Sequence, residues 1–308
     1  LTDFIRVSSN PAPADGEVFE FSAADGARLR GAFFPVQNAR GHAVVVTGWT
    51  EIIEKYFETA EDLRRRRLSV AMLDWRGQGL SDLKNPHASQ WKSYFDVLQR
   101  DLRHFADIHV KARFSGPAVL VAHSMGALPA LMLLASGYDY FSRAVLSAPM
   151  TQLFKGRVNT LVAAFAGAAC ALGAANVVAP RSKGNSRHFA GNIHTSDKTR
   201  YDRFCALKRA EPHIATPAPT FGWLRAALAA SKEIHAPGYF SHLKTPCLIV
   251  SAGQEMQING EDHERIAAAS ALLERKVIPG ALHEIMMERD EIRAQFWRAF
   301  DDFIAPLF

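Results

Sequence analysis

The stretch "VAHSMGAL", residues 121–128, sets Ser124 between an apolar run and a series of helix formers, in the pattern Gly-x-Ser-x-Gly with Ala122 at the first glycine. A serine on a strained strand-to-helix turn projects its hydroxyl from the end of a sheet, as a nucleophile must. The flanking sites must be small: Ala122 adds one methyl, and Gly126 keeps the second. The competing role for Ser124 is a helix N-cap, which serine fills well. A serine nucleophile needs a base, and the base needs an orienting acid, in the chain order Ser, acid, His. His283, in "PGALHEIMMERD", stands after the last apolar run and before a C-terminal helix, where an imidazole can reach the turn. His123 is too close in sequence to fold back onto Ser124, and His188, His194 and His213 fall in another part of the chain. The next residue, Glu284, does not complete the zinc motif His-Glu-x-x-His, because Met287 occupies the second histidine position. Glu255 is the first carboxylate after "PCLIVSAG" and is the candidate acid, whereas Glu261 and Asp262 read as charges at a helix N-terminus. Two backbone donors complete an acyl-transfer site. One is the Met125 N–H, and the other is the Trp49 N–H in "VVVTGWTE", where Gly48 permits a tight turn.

These residues need a scaffold that brings several loops to one edge. "EVFEFSAADGARLRGAFFPV" alternates apolar and polar residues about Asp25-Gly26, which predicts a hairpin. Apolar runs then follow at 42–48, 69–75, 117–124, 143–149, 246–253 and 275–280, separated by helical stretches. Fully apolar strands alternating with helices predict a parallel sheet covered on both faces, an α/β fold. The alternation breaks between about Met150 and Phe240, which predicts a helical cap inserted between core segments 1–149 and 241–308. The loop "DWRGQGLSD" (74–82) has Asp82 where a dinucleotide loop needs its third glycine, so it reads as a structural turn beside the site.

A chain of 308 residues, 48% hydrophobic and 22% charged, is globular rather than disordered. Cys170, Cys205 and Cys247 lack C-x-x-C spacing and read as small buried hydrophobes, not as a disulfide or zinc framework. The net charge is +5, but the only dense basic run, Arg64–Arg67, reads as the solvated end of a helix, and no nucleic-acid partner is expected. "LTDFIRVSSN" shows no signal peptide, so the expected location is the cytoplasm. Residues 161–179 are apolar but rich in Ala and Gly, with Lys155, Arg157, Arg181 and Lys183 around them. That composition predicts a buried or interfacial cap helix rather than a membrane span, with peripheral contact to the inner membrane surface as one outcome.

"TGWTE", "DWRGQGLSD", "AHSMGA", "SAGQEMQIN" and "PGALHEI", in this order, resemble motifs of the α/β-hydrolase family of bacterial lysophospholipases and monoacylglycerol lipases. The cap segments "HTSDKTRYDRF" and "PAPTFGWLRAA" resemble the bacterial lysophospholipase branch. The resemblance runs from about Gly41 to the C-terminus and implies Ser124 as nucleophile, Glu255 as acid, His283 as base, and Trp49 and Met125 as oxyanion donors. It implies hydrolysis of a monoacyl lipid ester through an acyl-enzyme, with no cofactor and no metal. Thr47, Ala122 and Glu255 depart from the family's His, Gly and Asp, but none removes a reacting group. The alternatives are a short-chain carboxylesterase, an acyltransferase, or a degenerate hydrolase serving as an interaction protein.

Overall fold

The computed structural model describes residues 3–82, 90–180, 188–214 and 218–308, with the backbone alone at 90 and 92. The hairpin forms as expected: β1 (Glu17–Ser22) pairs antiparallel with β2 (Arg28–Phe34) across a turn in which Gly26 takes a left-handed φ of 83°. Then come β3 (Gly41–Val46), β4 (Leu68–Asp74), β5 (Ala118–His123), β6 (Arg143–Ser147), β7 (Cys247–Ala252) and β8 (Leu273–Ile278), within a residue or two of the apolar runs. The sheet order is β1-β2-β4-β3-β5-β6-β7-β8, antiparallel at β1-β2 and β2-β4 and parallel elsewhere. Helices α1 (Phe57–Arg65), α2 (Tyr94–His104), α3 (Lys111–Arg113), α4 (Ser124–Ala135), α5 (Arg157–Ala171), α6 (Lys198–Ala210), α7 (Phe221–Ile234), α8 (Asp262–Ala267) and α9 (Asp290–Ile304) fill the connections.

Strand residues alternate between the two faces, so each face has its own core. Val44, Val46, Leu120 and Leu146 pack with α2, α4 and α7, while Val45, Val119, Val121 and Val145 pack with α1 and α9. Helix α4 is buried along its whole length, which explains its apolar sequence on every side. It runs on through Pro129, whose missing N–H deletes one internal bond without ending the helix.

Between β6 and β7 the chain forms α5, α6 and α7. The apolar stretch 161–179 is not one helix: α5 stops at Ala171, and Gly173 takes a φ of 86° while its N–H bonds the Cys170 carbonyl. Nor is α5 buried. Only Ala166 is covered, while Leu161 is 68% exposed and Phe165 63%. Among the described residues no helix is long and apolar enough to cross a membrane. Two smaller expectations also need correction. Cys247 alone is fully buried, Cys170 and Cys205 only partly. The Arg64–Arg67 run does end a helix, but Arg66 lies over the Trp297 ring and pairs with Asp301 at 2.6 Å rather than standing in solvent. Arg181 and Lys183 lie outside the described residues.

Candidate active site

Parallel strands β3, β5, β7 and β8 end at one edge of the sheet, and their exit loops hold the candidate residues. Ser124 sits on the turn from β5 to α4 with φ of 49°, in the left-handed region that costs a non-glycine residue energy. Its side chain caps nothing, because His123 holds the N-cap position of α4 and no side-chain cap bond forms. The Ser124 hydroxyl instead lies 2.8 Å from His283 Nε2. His283 Nδ1 lies 2.8 Å from a Glu255 carboxylate oxygen. An ionised carboxylate only accepts, which puts the imidazole proton on Nδ1 and leaves Nε2 to accept from the serine. The other Glu255 oxygen accepts from the Gln257 N–H at 2.8 Å and the Ile258 N–H at 3.3 Å, so the carboxylate is fixed by its own loop.

The electrostatics follow from this arrangement. Burial alone would lower the His283 pKa, but the charge and hydrogen bond of Glu255, with the charges of Glu284 and Glu51, together outweigh it and the net is above the usual histidine value. Burial opposes ionisation of Glu255, and the imidazole with the two backbone donors reverses that to hold it below its usual value. His123 behaves oppositely. Burial drives it down to about 4, so it stays neutral and donates through Nδ1 to the Ser147 carbonyl, 3.0 Å away.

The small residues around Ser124 have steric causes. A β-carbon on Gly126 would stand 2.2 Å from the Thr47 carbonyl oxygen, and one on Gly48 would stand 3.1 Å from Ser124 Cβ. Ala122 is fully buried between Val46 and Leu146 of the neighbouring strands. Thr47 is buried too, its carbonyl accepting from the Trp75 indole at 2.8 Å, while its hydroxyl has no partner among the described residues.

Sequence reasoning missed what holds the Gly48-Trp49 loop. Gln78, from the loop after β4, donates through Nε2 to the Gly48 carbonyl at 3.1 Å and accepts from the Thr50 N–H through Oε1. One side chain thus clamps the backbone on both sides of Trp49. Glu51 accepts from the Gly48 N–H and, at 2.6 Å, from the Tyr56 hydroxyl. Glu51 is in turn paired with Lys55 at 2.6 Å, and Lys55 with Glu284 at 2.7 Å. Burial opposes the Glu51 charge, but Lys55, His123 and the Tyr56 hydroxyl together outweigh it and hold the carboxyl at about 2. The Trp49 and Met125 N–H groups, flanking Ser124, carry no bond to a loop or side chain among the described residues. The faint signals were Gln78 between two glycines and a carboxylate three residues after Gly48.

The inserted segment reaches the loop that carries His283. The Glu284 N–H bonds the His194 carbonyl at 2.7 Å, and Thr195 donates to the Met287 carbonyl at 2.6 Å. Trp223 of α7 packs on Trp49 with ring centroids 4.7 Å apart. No cluster of three or more His, Cys, Asp or Glu side chains suited to a metal occurs among the described residues.

An eight-stranded, mostly parallel sheet with a serine, a histidine and a carboxylate joined at its strand ends defines a serine hydrolase of the α/β-hydrolase class. Residues 37–290 match the model of the hydrolase family described as serine aminopeptidase, S33, and the chain belongs to that family. It is similar to the probable lysophospholipase L2 of Haemophilus influenzae, 28% identical over 88% of this chain and 85% of that one. Lysophospholipase L2 of Escherichia coli is likewise 28% identical, over 98% of this chain and 89% of its own. Among solved structures, a soluble variant of monoglyceride lipase from Saccharomyces cerevisiae, in complex with a substrate analog, has a TM-score of 0.72 at 21% identity, covering 95% of this chain and 97% of that one.

Proposed function

We propose that this protein hydrolyses the ester of a monoacyl lipid, a lysophospholipid or a monoacylglycerol, through an acyl-enzyme on Ser124. The observation that carries the reading is the hydrogen-bonded series Ser124–His283–Glu255, with 2.8 Å at each step. The relatives named lysophospholipase L2 supply the substrate class. Ser124 Oγ attacks the ester carbonyl while His283 Nε2 takes its proton, and Glu255 stabilises the imidazolium. The Trp49 and Met125 N–H groups face the oxygen that becomes negative. Collapse breaks the bond to the glycerol oxygen, which leaves with the proton from His283. A water molecule, deprotonated by His283, then attacks the acyl carbonyl and restores Ser124.

The domain reading belongs to the same proposal: 1–149 and 241–308 form the core, and 150–240 is a cap over the acyl chain. Its helix α5 turns Val158, Leu161 and Phe165 outward at helical spacing, and Leu172 just past its end is exposed as well. Met150 to Ser196 contains Lys155, Arg157, Arg181, Lys183 and Arg187 and no Asp or Glu. Apolar exposure with cationic surroundings suits peripheral contact with an anionic lipid surface. Sedimentation with phosphatidylglycerol vesicles that is unchanged by Leu161→Asp together with Phe165→Asp sinks this part.

The main test is labelling with a fluorophosphonate, followed by assay on a lysophospholipid, a monoacylglycerol and a series of short-chain esters, with and without an alcohol acceptor. Labelling that is lost in Ser124→Ala, with hydrolysis of both monoacyl lipids, is expected. Labelling that survives the substitution moves the nucleophile elsewhere. Turnover confined to short-chain esters, or acyl transfer to the alcohol in place of hydrolysis, replaces the lipase reading, and a folded protein that takes no label is an interaction protein.

A further inference from the structure

Helix α6 of the inserted segment packs against the turn at Ile53–Tyr56, the turn that carries Lys55. Phe204 and Lys208, one helical turn apart, meet that turn beside Ile52 and Leu207. Two ammonium groups share the Phe204 ring: Lys55 Nζ lies 4.6 Å from its centroid and Lys208 Nζ 3.9 Å. Their surroundings differ. Lys55 is buried and neutralised by Glu51 at 2.6 Å and Glu284 at 2.7 Å. Lys208, partly buried, has no hydrogen bond or ion pair among the described residues, and residues 83–89, 181–187 and 215–217 contain no Asp or Glu that could supply one. Burial, followed by repulsion from Lys55, holds the Lys208 pKa below the usual lysine value, the mark of a cation whose lost hydration is not replaced by an anion. The ring face offsets part of that cost and offers no oxygen. Glu51 and Glu284 cannot serve, because Lys55 already stands between them.

A series of contacts links this cation to Ser124 and His283. Glu284 directly follows His283, so the chain of contacts from Ser124 through His283 and Glu284 to Lys55 and Phe204 ends at Lys208. A lysophospholipid carries a phosphate on the same glycerol that bears its ester. A monoacylglycerol has a neutral hydroxyl in that place.

We propose that Lys208, on the Phe204 ring it shares with Lys55, is the subsite for the phosphate of a lysophospholipid head group and selects such lipids over monoacylglycerols. This rests on the ester-hydrolase reading above. A phosphate oxygen supplies the charge-assisted hydrogen bond that Lys208 lacks within the protein. Positive charge, rather than shape, carries the preference, so arginine is expected to substitute better than glutamine.

The test compares 1-acyl lysophosphatidylglycerol with 1-monoacylglycerol of the same short acyl chain, both kept monomeric so that no lipid surface is present. For Lys208→Gln, kcat/KM on the lysophospholipid is expected to fall by about tenfold or more, the scale of one hydrogen bond to a charged group. On the monoacylglycerol it stays within about twofold, as for a change that touches no reacting group. Lys208→Arg keeps most of the preference. An unchanged rate of fluorophosphonate labelling in Lys208→Gln shows that its fold and its serine are intact. Equal loss on both esters, or no loss on either, overturns the subsite. A second arm measures binding of the 1-O-alkyl ether analogues, which have no ester to cleave. Wild-type protein that binds the two ethers equally also overturns it. A preference for the phosphate-bearing ether that vanishes in Lys208→Gln supports the subsite even if neither ester is hydrolysed, the outcome that sinks the hydrolase reading instead. Inorganic phosphate that displaces the ether lysophospholipid with equal potency marks a free-anion site and overturns the head-group assignment.

Discussion

Helices α5 and α6 leave the same insertion and meet the rest of the molecule in opposite ways. Helix α6 is bolted down by charge: Arg200 pairs with Glu58 at 2.6 Å, Asp290 at 2.6 Å and Asp197 at 2.8 Å, and Arg203 adds a second contact to Glu58 at 2.9 Å. Glu58 belongs to α1 and Asp290 to α9, both of them core helices. Among the described residues helix α5 has no such anchor. It leans on α7, with Phe165 against Phe221 at 5.5 Å, and leaves its larger apolar side chains outside. The two sides of the insertion therefore differ, the α6 side being continuous with core helices and the His283 loop and the α5 side presenting a surface. Loosening the α6 anchor is expected to act on every ester, and damage on the α5 side only where a surface matters.

The sharpest way to test the first half of that contrast is to cut the hydrogen-bonded series at its acid. Glu255→Gln keeps the shape but removes the charge and lets the imidazole take the wrong tautomer, for an expected loss of about 10³- to 10⁴-fold in kcat on soluble and vesicle-borne esters alike. The pH profile moves as well. His283 must be neutral to accept the proton, so in the wild type activity falls as pH drops through a value raised above the usual 6.5 by Glu255. Without that carboxylate burial dominates, and the acidic limb shifts to lower pH. A limb that stays in place in kcat/KM measurements assigns it to another group.

The second effect in size comes from Gln78. Its amide holds Gly48 and Thr50 and touches no reacting atom, so it is a positioning residue for the Trp49 N–H. Gln78→Leu is expected to lower kcat by about 10- to 100-fold, part of the value of one oxyanion donor, with KM little changed. Loss expressed in KM alone contradicts that role. Gln78 also marks where sequence reasoning stops. Ser124 and Glu255 were legible because each follows an apolar strand at the turn where a parallel sheet exposes its loops, and His283 by its place after the last strand, although β8 itself carries Glu274, Arg275 and Lys276 and is largely exposed. The role of Gln78 depends on two bonds to backbone about 30 residues away, which no local pattern encodes. The same holds for the Glu51–Lys55–Glu284 group, whose members sit in two separate loops. The exposure of α5 was hidden for a different reason: apolar composition shows what burial would gain, not whether a partner surface lies opposite. Its end at Gly173, by contrast, is ordinary glycine punctuation.

Breaking the α6 anchor gives a smaller, thermodynamic effect. Arg200 is only 10% exposed, and Arg200→Ala leaves Glu58 with Arg203 and Arg293, for an expected destabilisation of about 2 kcal/mol in urea unfolding. The pH dependence fixes the sign. Burial opposes the Glu58 charge, but the arginines hold its pKa down at about 2, below the ordinary 4.5. The stability from this pairing is therefore in full force above the ordinary value and is lost as pH falls towards the lower one. Arg200→Ala is expected to blunt that acid sensitivity, and a variant as acid-sensitive as the wild type contradicts the anchor.

The smallest effect is expected on α5, and its smallness is what makes the contrast decisive. Leu161 and Phe165 lose little on unfolding because they are already mostly in water, at 68% and 63% exposure. Replacing both by Asp removes apolar area that the fold does not use, so unfolding free energy is expected to stay within about 0.5 kcal/mol. Turnover of a soluble short-chain ester is expected to be unchanged, because among the described residues no hydrogen bond or ion pair joins Ser124, His283 or Glu255 to α5. If the double variant instead unfolds early, α5 is part of the core's support and the two helices do not differ in kind. If it loses activity on the soluble ester with its stability intact, α5 reaches the acyl pocket and its outward face is not a separate surface. Only the joint result, intact stability and intact soluble turnover beside weakened sedimentation with anionic vesicles, keeps anchor and surface as two distinct halves of one insertion.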